Sequence, residues 1–244
     1  MKSTLNPTKV QHTIQKNTAT SYGLTLVTGT PFPVEISTRV QHIQTQLDAL
    51  APGCFTWYGL DHLHATLVAP LRGRYRDAPP LQRDELPADL EGFVQDLSNF
   101  FAGHEPFLLD LAGVHLTTSG FVLLGEKTMV GQLSSSLRRY PELDPPKHAP
   151  GLHVAIGYLN TERPFAIDEE MRQFELVLAE IRDTPVGRVL VKQVWLVHYA
   201  NRTLDQIVGR VPFTLGKANA ITVGRLLREL GIIDDGELQK TLAG

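Results

Sequence analysis

Two short stretches of this 244-residue chain hold histidine in a setting that could do chemistry. The first reads His62-Leu63-His64-Ala65-Thr66-Leu67-Val68, and the second His153-Val154-Ala155-Ile156-Gly157-Tyr158. Each is predicted to be a strand, in which alternate side chains share a face. His64 and Thr66 then point one way while Ala65 and Leu67 enter the opposite layer, and His153 shares a face with Ala155. Two imidazoles across a phosphate are a general acid and a general base, because a pKa near 6.5 lets one be neutral and the other protonated around neutral pH. A hydroxyl two residues further on can hydrogen-bond a phosphate oxygen, a charged contact worth about 1.5 to 3 kcal/mol. The same residues permit another reading. On a strand His62 shares the face of His64, so His62, His64 and His153 could make a three-histidine zinc site with open coordination. No carboxylate or fourth ligand stands at a telling distance, and the preferred reading needs neither metal nor cofactor.

The surrounding elements must bring these histidines together. Apolar residues at Ile36, Val40, Ile43, Leu47 and Leu50 predict an amphipathic helix over 34–50, and Leu90, Phe93, Val94, Leu97 and Phe101 predict another over 88–102. Strands are expected near 23–27, 54–58, 62–69, 106–114, 120–126 and 152–159, with a Pro- and Arg-rich connection from Pro70 to Pro87. Helices are expected at 128–140 and 167–182, one long strand run from Val186 to Tyr199, a strand near 204–214, a turn at Gly216 and a helix near 218–230. The order strand, helix, His-bearing strand, helix, strand occurs twice, from Gly23 through His64 and from Gly120 through His153. Such a duplication gives an α+β fold of two lobes facing across a cleft. Residues 1–20 are expected to be a flexible tail, 21–214 the bilobal domain with interleaved lobes, and 215–244 a C-terminal helix and tail.

The pair His64-Ala-Thr66-Leu and His153-Val-Ala155-Ile resembles the duplicated His-x-Thr/Ser-hydrophobic signature of the two-histidine (2H) phosphoesterase superfamily. That superfamily includes the 2′-5′ RNA ligase/RNA 2′,3′-cyclic phosphodiesterase proteins. The order of elements extends the likeness over roughly 21–214, but only the two tetrapeptides are specific. The resemblance implies duplicated antiparallel sheets with helices packed outside and a metal-independent centre in the cleft between them. It also implies action on 2′,3′-cyclic phosphates, 2′-5′ linkages or related phosphoesters, with His64 and His153 as the acid/base pair and Thr66 as a phosphate ligand. Ala155 departs from the pattern, since the second hydroxyl is missing. That departure supports an alternative, a nucleotide- or RNA-binding module of the same fold with little catalysis.

Further substrate-binding candidates flank the motifs. Arg72, Arg74 and Arg76 surround Tyr75 just after the first, and guanidinium groups suit phosphates as a Tyr ring suits a base. Tyr158, Asn160 and Arg163 follow the second. In the 188–199 run the alternation leaves two possible cleft faces, one with Gln193, Trp195 and Val197, the other with Val194, Leu196 and His198. His115 and His198 read as core or edge residues.

Composition limits the partners. With 23 basic against 26 acidic residues, and Lys2, Lys9 and Lys16 all in the tail, the body is more acidic than the net charge of −3 suggests. Clamping long duplex nucleic acid needs a basic surplus, so composition leaves open a small anionic ligand in a local pocket, and the nucleotide or RNA terminus that the resemblance implies is such a partner. A lone cysteine, Cys54, excludes a disulfide framework and fits a reducing compartment. No apolar run approaches a membrane span and no signal-peptide pattern opens the chain, so a cytoplasmic location is expected.

Overall fold

The computed structural model describes residues 14, 20–71, 80–117, 120–124, 129–145, 152–159, 176–182, 184–201 and 203–232. Among the described residues nine strands form one antiparallel sheet. They are β1 (Gly23–Thr28), β2 (Phe55–Trp57), β3 (Ala65–Leu71), β4 (Phe107–Thr117), β5 (Gly120–Leu124), β6 (His153–Leu159), β7 (Pro185–Val191), β8 (Gln193–Tyr199) and β9 (Ile207–Thr214). Four helices have described bounds: α1 (Val34–Leu50), α2 (Leu90–Ala102), α3 (Val130–Leu137) and α4 (Val223–Glu229). Residues 176–181 are also helical.

The strand order β7-β4-β5-β6-β3-β1-β8-β9 is symmetric about the β6–β3 junction, with β2 paired to β6 outside that path. One half is β3-β1-β8-β9 and the other β7-β4-β5-β6, so β3 and β6, β1 and β5, β8 and β4, β9 and β7 stand in equivalent places. The helices interleave the halves. α1 leaves β1 of the first half but packs on β6 and β7 of the second, and α3 leaves β5 of the second half but packs on β3 of the first. α2 and α4 pack on each other and on β9. The fold is thus the bilobal α+β arrangement the duplication predicts. β7 and β8 stand near opposite ends of the path yet are joined through Lys192 alone, so the sheet must curve back toward itself.

Local sequence explains the elements. β1, with neighbours on both sides, is buried at every position. α2 begins at Asp89, whose carboxylate accepts from the Gly92 N–H at 2.8 Å, and so meets one of the unpaired donors of its first turn. Its face Leu90, Phe93, Val94, Leu97 and Phe101 enters the core. α1 buries Ile36, Ser37, Val40, Gln44 and Leu47, one face of the helix on which two members are polar.

The structure alters four sequence expectations. The first histidine strand starts at Ala65 rather than at 62, because Leu60–His62 forms a single 3₁₀ turn closed by the His62 N–H on the Gly59 carbonyl at 2.9 Å. His62 and His64 therefore do not share a strand face. β3 then runs through Pro70 to Leu71, and the proline falls where the register with β1 shifts between the Leu26–Val68 and Leu24–Leu71 pairs, an irregularity that tolerates it. The Val186–Tyr199 run is two strands broken at Lys192, whose carbonyl accepts from the Leu215 N–H. Of the 167–182 helix only 176–182 falls within the described residues, as do only Ile14 and Thr20 of the expected tail. No helix among the described residues is long and apolar enough to cross a membrane.

Candidate active site

The β3–β6 junction brings the two motifs together. Ala65 pairs with Val154 and Thr66 with His153, and directly opposed residues of an antiparallel pair carry their side chains on one face, with Cβ atoms about 5 Å apart. Thr66 and His153 are therefore neighbours. Continuing the register one step beyond the ladder sets His64 across from Ala155, so the four positions form a square with the imidazoles at opposite corners. Beneath it Ala65 and Val154 are buried in the core. The Thr66 hydroxyl makes no hydrogen bond among the described residues and is open to a ligand.

His64 is 6% exposed. Its Nδ1 lies 2.8 Å from the carbonyl of His62. A carbonyl only accepts, so Nδ1 carries the proton and Nε2 is left with its lone pair. Burial, the largest influence, lowers the His64 pKa to about 4; the hydrogen bond to His62 opposes this, and positive charge on His153 and His62 adds to it. The ring is consequently neutral at physiological pH, with one nitrogen able to take a proton. His153 is only half-buried.

Beyond the square β6 departs from regular alternation. Val122 pairs with Ala155 but Phe121 with Gly157, so Ile156 has no partner on β5, which is a β-bulge. Its carbonyl, released from the ladder, accepts from Gln44 Nε2 at 2.9 Å and from the Tyr58 N–H at 3.1 Å. That explains the buried glutamine on α1, since an unpaired buried carbonyl is costly. Gly157 lies beneath Trp57, where a Cβ would come within 2.4 Å of the indole. The bulge leaves Tyr158 half-buried, like His153 and Ala155, rather than buried like Val154 and Ile156. Its phenol pKa is raised, first by burial, with a Thr56 hydrogen bond opposing and the Asp205 carboxylate adding. Tyr58 stands between the two strands, its ring 6.0 Å from that of His64 and 6.1 Å from that of Tyr158.

A sequence profile of the 2′-5′ RNA ligase superfamily matches residues 32–203. The chain belongs to that superfamily. The matched span holds both histidine motifs and makes the protein a 2H phosphoesterase by family. Solved structures resemble it at low identity. The conserved protein of unknown function ATU0111 from Agrobacterium tumefaciens str. C58 is 11% identical over 89% of this chain and 92% of its own, with a TM-score of 0.51. TT0787 of Thermus thermophilus is 16% identical over 81% of this chain and 100% of its own, with a TM-score of 0.49. Escherichia coli LigT, complexed with 3′-AMP, is 16% identical over 80% of this chain and 99% of its own, with a TM-score of 0.47. No curated protein sequence matches.

Within this superfamily member the sequence-predicted residues divide into two groups. His64, Thr66, His153, Ala155 and Tyr158 meet around the β3–β6 junction. Arg72, Arg74, Tyr75, Arg76, Asn160 and Arg163 lie outside the described residues. The three-histidine metal reading needs His62, His64 and His153 to converge, and among the described residues no three His, Cys, Asp or Glu side chains are grouped to hold an ion. His198 is fully buried; its Nδ1 lies 2.8 Å from the Leu230 carbonyl, and its Nε2 accepts from the Leu81 N–H. It ties the end of α4 to β8 as a neutral structural ring, its pKa lowered chiefly by burial.

Sequence reasoning missed Tyr58, Gln44 and a cavity of about 450 Å³ beside His64. Trp195 and Val197 border that cavity while Val194 and Leu196 are buried in the core, which settles the face of β8 that alternation left open. The signal for Gln44 was present: it stands four residues after Val40 and three before Leu47, inside the apolar stripe of α1.

Proposed function

We propose that this protein is a metal-independent phosphodiesterase that opens a 2′,3′-cyclic phosphate or cleaves a 2′-5′ linkage on a nucleotide or RNA terminus. One observation supports this most: the Thr66–His153 pairing, which sets two histidine motifs on adjacent antiparallel strands. His64 acts as the base. Its Nδ1 proton is held by the His62 carbonyl, so Nε2 removes a proton from water, or from a ribose hydroxyl in the reverse direction. The oxygen attacks phosphorus, the P–O bond to the departing ribose oxygen breaks, and His153 protonates that oxygen. The site then needs one neutral and one protonated imidazole, and mutual repulsion between the two rings disfavours the doubly protonated pair. Thr66 donates its hydroxyl to a non-bridging phosphate oxygen.

Ala155 favours a second reading, a binding module of this fold with little catalysis, because the position across from His64 offers no hydroxyl. One experiment separates the two. The purified protein is incubated with 2′,3′-cyclic nucleotides and 2′-5′ dinucleotides in EDTA, and product is followed by chromatography. Turnover that disappears in both His64→Ala and His153→Ala supports the phosphodiesterase. Tight binding without product over hours supports the module, and full activity in both variants ends the two-histidine reading.

A further inference from the structure

The cavity beside His64 is larger than a reacting phosphate requires. At about 450 Å³ it falls within the roughly 300 to 1,000 Å³ typical of small-molecule sites. Val27, Val197, Tyr199 and Leu204 form an apolar cluster separate from the main core, with Trp195 packed against it. Three of these, Val27, Val197 and Leu204, line the cavity together with Trp195. Leu204 reaches it from the β8–β9 turn with φ at +57°, a conformation rare for a branched side chain. Asn201 and Thr203 hold that turn through hydrogen bonds to Asp205.

Among the described residues one arginine faces the same space. Arg210 pairs with Val197 across β8 and β9, and its guanidinium lies 4.6 Å over the centre of the Trp195 ring. Asp61 and Asp205 also border the cavity, yet among the described residues neither forms an ion pair with Arg210. The indole fixes the plane of the guanidinium and leaves its edge donors free, the arrangement suited to two-pronged contact with a phosphate. The two carboxylates argue against a ligand anionic throughout. They would accept from hydroxyl or amino groups, as a ribose or a base presents.

We propose that this cavity recognises the part of the substrate beyond the reacting phosphate, with Arg210 on Trp195 taking a second phosphate there. The substrate is then a nucleotide or chain end carrying a 5′-phosphate as well as the scissile ester. The inference rests on the phosphodiesterase reading for its reacting group, but its own test is separable.

Adenosine 2′,3′-cyclic phosphate is compared with its 5′-phosphorylated form for KM and kcat, and 5′-AMP with adenosine for binding by calorimetry, using the full chain. The 5′-phosphate should lower KM and tighten binding by about tenfold or more, with the smaller effect on kcat. Arg210→Ala should bring each pair of values together, and Arg210→Lys, which keeps the charge but loses the stacked fork, should recover only a minor part. A 5′-phosphate preference that survives Arg210→Ala in a folded variant, or no preference in the parent, overturns the subsite. Turnover without any 5′-phosphate preference removes the subsite and leaves the phosphodiesterase. Arg210-dependent preference for 5′-AMP without turnover of either cyclic compound does the reverse.

Discussion

The two histidine strands occupy equivalent places in the sheet and yet differ at nearly every functional position. Just ahead of β3 the imidazole is buried, its tautomer is set by the backbone of a 3₁₀ turn, and two residues later comes a hydroxyl with no hydrogen-bond partner among the described residues. On β6 the imidazole is half-buried, the hydroxyl is replaced by Ala155, and a bulge at Ile156 shifts Tyr158 out of the buried alternation. In the proposed reaction this duplicated scaffold would divide the roles. The buried ring, neutral at physiological pH, would be the base, and the more accessible ring would deliver a proton to the leaving oxygen.

The largest expected effect tests the division directly. His64→Ala and His153→Ala should each lower kcat by about 10² to 10⁴, the range of a single acid or base, measured by single-turnover release of product. The pH profile then sharpens it. With His64 held at a pKa of about 4, the acidic limb of kcat/KM should fall well below pH 6.5, and a limb centred at 6.5 would remove His64 from the role of base.

The same shift has a stability counterpart. The unfolded chain binds a proton at His64 near pH 6.5 and the folded chain only near 4, so native stability is present above pH 6.5 and is lost as pH falls toward 4. The loss reaches roughly 3 kcal/mol at 1.36 kcal/mol per pKa unit. Urea melts from pH 7 to 4 should show a shallower decline in His64→Gln than in the parent. His198, also shifted downward, contributes in the same direction and remains in both.

Smaller effects should come from the hydroxyl and the bulge. Thr66→Ala is expected to cost about 1.5 to 3 kcal/mol of phosphate binding, read as a rise in Kd for product. Ala155→Thr restores the hydroxyl on the second strand and should raise the rate on a cyclic mononucleotide; no change would show that the first-strand hydroxyl suffices. Gln44→Leu strips the Ile156 carbonyl of one partner. It should cost about 1 to 3 kcal/mol in denaturation and change KM more than kcat, because Tyr158 and Tyr58 move while the histidines stay.

Much of the fold was legible because α1 and α2 carry three- and four-residue apolar spacing and the strands at 120–124 and 153–159 are short runs dominated by apolar residues. The Val186–Tyr199 run was not, because β-rich sequence does not reveal that Lys192 joins strands pairing with different partners. His62 was misplaced for a related reason, since a single 3₁₀ turn has no periodicity. Tyr158 was chosen for its ring and its place after the motif, but simple alternation puts it on the face of Val154, and only the bulge explains its half-exposed position. Arg210 lies in a strand distant in sequence from either histidine motif and gave no signal, because its meaning depends on Trp195 and the cavity.

The sequence by itself determined the chemistry available: two histidines in matching tetrapeptides, one threonine and one missing hydroxyl. These are properties of residue type and short spacing, fixed before folding. Only the tertiary structure decided which imidazole is withdrawn from water, which carbonyl holds its proton, and which face of β8 meets the cleft. Burial, tautomer and facing depend on strand pairing and on a bulge, and these arise from contacts between residues far apart in the chain.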